Sequence, residues 1–155
     1  MDMIDKKILF CLQKDASMSI SEVSERVNLS QTPCWRRIQN LEKAGVIKKR
    51  VAILARDKIN VGVTVFVSLK TRHHNPDWLE KFARTIVELP EVVEFYRMSG
   101  DVDYLLKIVT PDIAAYDAVY KRLIGKIDLD DVSSTFAMEE IKYETALPLD
   151  YVLEE

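Results

Sequence analysis

The 155-residue sequence predicts an α+β chain built of two units, and three observations point to it. Apolar residues recur at helical spacing up to Gly45 and alternate from Val63 onward. Charge divides at nearly the same place. Residues 1–60 hold 12 Lys/Arg against 7 Asp/Glu, a net +5, while residues 61–155 hold 10 against 18, a net −8. Between the two patterns lies Arg-Asp-Lys-Ile-Asn-Val-Gly, residues 56–62, which reads as a hinge. The boundaries that follow are 1–55, 56–62 and 63–155.

In the first unit, Asp2 and Asp5 suit a helix N-terminus, and Ile8, Leu9 and Leu12 supply that helix's buried face. Ser19 and Glu22 form an S-x-x-E capping box for a second helix, with Ile20, Val23 and Val27 as its apolar stripe. Asn28-Leu29-Ser30 is the break, in which Leu29 anchors the turn and Ser30 serves as the next N-cap. Pro33 falls in the first turn of the third helix, where its missing N–H is tolerated, and Gly45 supplies a left-handed stop. Val46 to Ile53, with Lys48-Lys49-Arg50 at its turn, reads as a small β-wing. Three helices and a wing make a winged helix-turn-helix.

The third helix is what gives this unit a chemistry. Cys34, Ile38 and Leu41 fall on one face; Thr32, Arg36, Gln39 and Lys43 lie opposite, with Trp35 and Arg37 on the flanks. Amide and guanidinium groups on an outward helix face suit the base edges of a DNA major groove. Gln31, Thr32, Trp35, Arg36 and Gln39 are the base or near-base candidates, and Trp35 is placed to press on a thymine methyl or the sugar backbone. Lys48, Lys49 and Arg50 are candidates for phosphates. Arg37 has two readings, a phosphate contact or an ion pair with Glu22 or Glu42. A basic unit joined to an acidic one fits a nucleic-acid module on a carrier that avoids DNA.

The second unit begins with the alternation Val63, Val65, Val67, Leu69 against Thr64, Ser68, Lys70, a half-buried strand. Asn75-Pro76 starts a helix as N-cap and N1, lined by Leu79, Phe82, Ala83 and Ile86 and closed by Pro90. Val92–Met98 and Tyr104–Val109 are strands joined by a turn at Ser99–Asp103. Thr110-Pro111-Asp112 starts another helix, with Ile113, Tyr116, Tyr120, Leu123 and Ile124 as inner positions and Gly125 as its end. Val132–Glu139 is the last strand, and Ile141–Leu149 is a tail suited to pairing with a partner. The order β-α-β-β-α-β is the ferredoxin-like arrangement. Its helices cover one sheet face, and sheet-to-sheet dimerisation would cover the other.

Other function classes are poorly served. No apolar run approaches the roughly 20 residues of a membrane span, and the start, MDMIDKK, lacks a signal peptide's apolar stretch. The expectation is a cytoplasmic, nucleoid-associated protein. Cys11 and Cys34 occupy apolar helical positions, which argues against a disulfide framework. His73 and His74 are adjacent at a strand end with no third histidine, so no metal site is expected, and no cofactor.

The turn at Gly100 has chemistry of its own. Glycine allows a positive φ, free N–H groups in such a turn hold a carboxylate, and Asp101 or Asp103 takes an ammonium. Met98, Val132 and Phe136 are placed to receive an apolar side chain. An ordinary hairpin turn has the same composition.

Read together, these strings resemble the Lrp/AsnC (leucine-responsive/asparagine-regulator, or feast/famine) family of prokaryotic transcription factors, over essentially the whole length. The resemblance rests on Asp5–Leu9, on Leu29-Ser30 followed by Arg36–Glu42 and Gly45–Ile47, on Gly100–Tyr104, and on Ser133–Met138. It implies dimers that associate further, often to octamers as tetramers of dimers. It implies double-stranded DNA bound by paired winged helices, and an amino-acid effector held in the C-terminal domains. Gly100, Asp101, Asp103 and Tyr104 match the family's effector loop; Ser133, Ser134 and Thr135 match the strand that closes the pocket from a neighbouring subunit. Leucine, methionine or cysteine fits the apolar pocket candidates. The alternatives are an architectural DNA-wrapping protein without an effector, or an enzyme like the tetrapyrrole decarboxylases that resemble this family. An enzyme of that kind needs cations and histidines lining the C-terminal cleft, and here that half is acidic. The chain is therefore read as a regulator with no catalytic residues.

Overall fold

The computed structural model describes residues 1–73, 75–126 and 128–153. Among these, two compact units form, one from Met1–Ile53 with Ile141–Glu155, the other from Leu54–Glu140.

The first unit holds α1 (Met3–Lys14), α2 (Ile20–Arg26) and α3 (Gln31–Lys43). Reciprocal capping boxes start the first two helices, Asp2 with Asp5 and Ser19 with Glu22. Asn28 takes the left-handed conformation, φ +56°, which turns the chain between α2 and α3. Ser30 is the N-cap of α3 by backbone position, but its hydroxyl makes no capping bond. Gly45 stops α3 at φ +71°, with its N–H on the Glu42 carbonyl at 3.0 Å and that of Val46 on Leu41 at 3.0 Å. Ile8, Leu12, Val23, Val27, Cys34, Ile38 and Leu41 pack into one core, and Leu29 and Leu149 close against it.

The expected wing strands do not form within the chain: residues 46–55 carry no strand. The apolar residues there, Val51, Ile53 and Leu54, are each more than 60% exposed. A strand needs a ladder partner, and a single copy offers this segment none.

The second unit holds β1 (Val63–Lys70), α4 (Pro76–Val87), β2 (Val92–Arg97), β3 (Tyr104–Thr110), α5 (Ile113–Lys126) and β4 (Asp131–Phe136). Its sheet is antiparallel with order β2-β3-β1-β4. That is the ferredoxin-like arrangement the sequence predicted. Asn75 caps α4 by accepting from the Trp78 N–H at 2.8 Å. Val65, Val67, Leu69, Tyr104, Leu106 and Ile108 face Phe82, Ile86, Tyr116, Val119 and Leu123 from the two helices. Burial along β3 alternates over its whole length.

Three expectations need correction. The helix α5 runs through Gly125 to Lys126, because that glycine does not take a positive φ. Ile113 and Ile124 are exposed, and Val119 takes the inner place instead. The tail 141–153 groups with the first unit rather than with residues 63–140, because Leu149 and the backbone of Leu147 find their partners on α1 and its core. A short 3-10 turn, Arg56–Ile59, occupies the hinge.

Candidate nucleic-acid interface and effector loop

The core side of α3 is fixed by Cys34, Ile38 and Leu41. Cys34 is fully buried in the core as a packing group, and burial, with the neighbouring Cys11, pushes its thiol above its ordinary pKa. The opposite side presents Gln31, Thr32, Trp35 and Arg36, all exposed. Trp35 is 52% exposed, a large apolar ring left in water beside a guanidinium. Gln31 also donates to Ser21 Oγ at 3.2 Å, which ties α2 to the start of α3.

Three more of the predicted DNA-contact residues have partners within the chain. Arg37 donates to Asp2 at 2.7 Å and to Asp5 at 2.8 Å. Its ion-pair partners are the N-cap and first turn of α1, neither Glu22 nor Glu42. The two carboxylates raise the Arg37 pKa further. Gln39 is half-buried and donates to Glu42 at 2.9 Å, while Arg50 approaches the same carboxylate at 3.0 Å. Glu42 therefore holds Arg50 against the C-terminal end of α3, and Lys48 and Lys49 are exposed cations in the segment that follows.

In the second unit the β2–β3 connection is locked at its base. Met98 N–H donates to the Asp103 carbonyl at 2.8 Å, and Asp103 N–H to the Leu69 carbonyl at 3.0 Å. Gly100 sits at φ +123°, a conformation closed to other residues. Asp103 spends one carboxylate oxygen on the N–H of the buried Thr71 at 2.9 Å, so it fixes the loop to the end of β1. Asp101 is exposed at the loop tip. Tyr104 is 3% exposed and packs among Trp78, Phe82 and Phe95, a core residue below the loop.

Along β4 the three hydroxyl residues divide by face. Ser134 bonds the Tyr116 hydroxyl on the helix side, whereas Ser133 and Thr135 lie on the open face opposite Ser68 and Phe66. Burial raises the Tyr116 pKa, partly offset by that bond. A single chain does not bring these residues onto the Gly100 loop, because β1 separates β3 from β4. His73 stacks on Trp78 and lies 3.3 Å from Asp128; His74 lies outside the described residues. No metal-holding cluster occurs among the described residues. None of the helices described is long and apolar enough to cross a membrane.

Residues 1–48 match the model for winged helix-turn-helix DNA-binding domains, and residues 64–147 match that for the Lrp/AsnC ligand binding domain. The chain belongs to the Lrp/AsnC family. It is a family of transcriptional regulators and not of enzymes, and this Lrp/AsnC member carries both its DNA-binding and its ligand-binding domain. The chain is 50% identical to the glutamate uptake regulatory protein of Zymomonas mobilis over 149 residues, covering 96% of this chain and 91% of that one. The crystal structure of an AsnC family transcriptional regulator from Agrobacterium tumefaciens has a TM-score of 0.96 and 60% identity, covering 99% of this chain and 100% of that one. The NMB0573/L-Met complex from Neisseria meningitidis has a TM-score of 0.92 and 36% identity, with 99% of both chains covered.

The sequence missed the grip of Gln13 on Leu147 and of Asp103 on Thr71. The first joins residues 134 positions apart, and neither end carries a local signal.

Proposed function

We propose that this Lrp/AsnC member reads specific DNA sequences through α3 and that its assembly and DNA binding respond to a small amino acid. The observation that carries the DNA half is the exposed face of Gln31, Thr32, Trp35 and Arg36 on a helix whose other face is fixed in a core. Lys48 and Lys49 supply phosphate attraction beside it. The effector half rests on the ligand-binding domain and on the built loop at Gly100, whose N–H groups suit a carboxylate and whose Asp101 suits an ammonium. An L-Met complex among the similar structures supports an amino acid, and leucine, methionine and cysteine remain the favoured set.

The active assembly on this reading is a dimer, and beyond it a tetramer of dimers, in the cytoplasm on the nucleoid. The open sheet face bears Phe66 and Tyr96, 38% and 50% exposed, beside the Glu94–Lys107 pair at 3.0 Å. A second copy's sheet would cover it, and a neighbouring β4 would then bring Ser133 and Thr135 to the pocket.

Thermal unfolding against the twenty amino acids tests the effector. A ligand at about 100 times its Kd adds roughly 2.7 kcal/mol per site. One selective shift, abolished by Asp101→Ala, is the expected result. A flat panel with intact operator binding would instead favour an architectural DNA-wrapping role.

A further inference from the structure

After β4 the chain does not simply trail away. Ala137 N–H still donates to the Thr64 carbonyl at 3.0 Å, and Glu140 lies 3.7 Å from Arg56. Leu147 is then clamped to α1. Gln13 Nε2 donates to the Leu147 carbonyl at 3.0 Å, and the Leu147 N–H donates to Gln13 Oε1 at 2.9 Å. The side-chain amide satisfies both main-chain groups of one residue, as a neighbouring strand would. Two residues on, Leu149 packs against the core of the DNA-binding helices.

Gln13 stands in the last turn of α1, and the first turn of α1 holds the recognition helix through Asp2, Asp5 and Arg37. A helix of 12 residues is about 18 Å long, so its two ends are far apart. The tail therefore grips one end of a rod whose other end grips α3.

We propose that residues 141–151 are a tether through which β4 controls the seating of the recognition helix. It rests on the reading of β4 as part of the effector site. Residues 141–145, between the two anchors, are exposed. The attachment is two hydrogen bonds at the exposed Leu147 and the half-buried side chain of Leu149, a contact of modest strength that opens locally without global unfolding. A ligand that fastens or displaces β4 changes the pull on this clamp and biases it between seated and released, by its differential affinity for the two.

Hydrogen exchange at the Leu147 amide in the full chain reads the clamp directly. Gln13→Ala removes both bonds and is expected to speed that exchange by about tenfold or more. It should also shift affinity, by about threefold or more, for a duplex selected by the wild-type protein. Leu149→Ala releases the tail from its other side and should act in the same direction. Released Leu147 with unchanged DNA affinity in both variants overturns the tether. A second arm uses the amino acid that most raises the wild-type Tm. Its binding should change Leu147 exchange, and binding with no such change also overturns the tether. If no amino acid binds, the effector reading of β4 fails instead, while the variant arm still decides the link from tail to DNA.

Discussion

Arg36 and Arg37 are neighbours with opposite tasks. Arg36 is exposed on the outward face of α3, the face proposed to read DNA, and Arg37 is held by Asp2 and Asp5. Arg36→Ala is expected to reduce operator affinity in a gel-shift titration while leaving Tm unchanged. Lys49→Ala should weaken all duplexes alike and lower the salt slope by about one. Arg37→Ala should lower Tm, and Arg37→Lys should not restore it, since an ammonium does not reproduce the guanidinium's fixed donor geometry. The two capping carboxyls add a pH dependence. Asp2 is held below its ordinary 3.8 by the Asp5 N–H and then by Arg37, and Glu22 below 4.5 by the Ser19 N–H and hydroxyl. A carboxyl depressed in the folded state stabilises fully above its unfolded value and loses that contribution as pH falls through its folded value. Tm should therefore fall as the pH drops below 4.5 and on past 3.8, and Asp2→Asn should flatten the lower part of that decline. An unaltered pH profile in the variant would show that the Asp2 cap contributes nothing.

Helix ends set the geometry of the reading unit more than helix middles do. The turn after α3 depends on Gly45 at φ +71°, with open space where a Cβ would stand. Strain, not a clash, is then the cost of a side chain. Gly45→Ala should destabilise the first unit by roughly 1–2 kcal/mol, measured by denaturant unfolding, and shift the segment that carries Lys48 and Lys49. The capping box of α2 was legible because S-x-x-E places both partners within one turn; at α1 the sequence showed only that Asp2 and Asp5 suit an N-terminus, and the structure made them a reciprocal box. The end of α5 was not, because Gly125 stops a helix only when it takes a left-handed φ, and here it continues α-helical.

At the scale of the molecule, the open sheet face and the exposed segment Val51–Leu54 leave large apolar groups in water in a single copy. Phe66→Glu should therefore yield a smaller species by sedimentation velocity, with helix content retained by circular dichroism. Unchanged sedimentation would place the self-association surface elsewhere. The charge division follows the sequence halves, net +5 over residues 1–60 and net −8 over residues 61–155, while the acidic tail folds back onto the basic first unit.

Local and periodic features were determined by the sequence alone. Apolar spacing gave the helices and strands, β-α-β-β-α-β order gave the sheet, and the Gly100–Tyr104 and Arg36–Glu42 strings gave the family. These signals lie within a few residues of one another, so they survive without knowledge of the fold. Tertiary structure decided the rest. It assigned Arg37 to α1, Asp103 to Thr71, Tyr104 to the core, and the tail to Gln13. It also set Ser134 on the opposite face from Ser133 and Thr135. Those outcomes depend on partners outside the local sequence, and a polar side chain has no periodicity that announces which partner it will find.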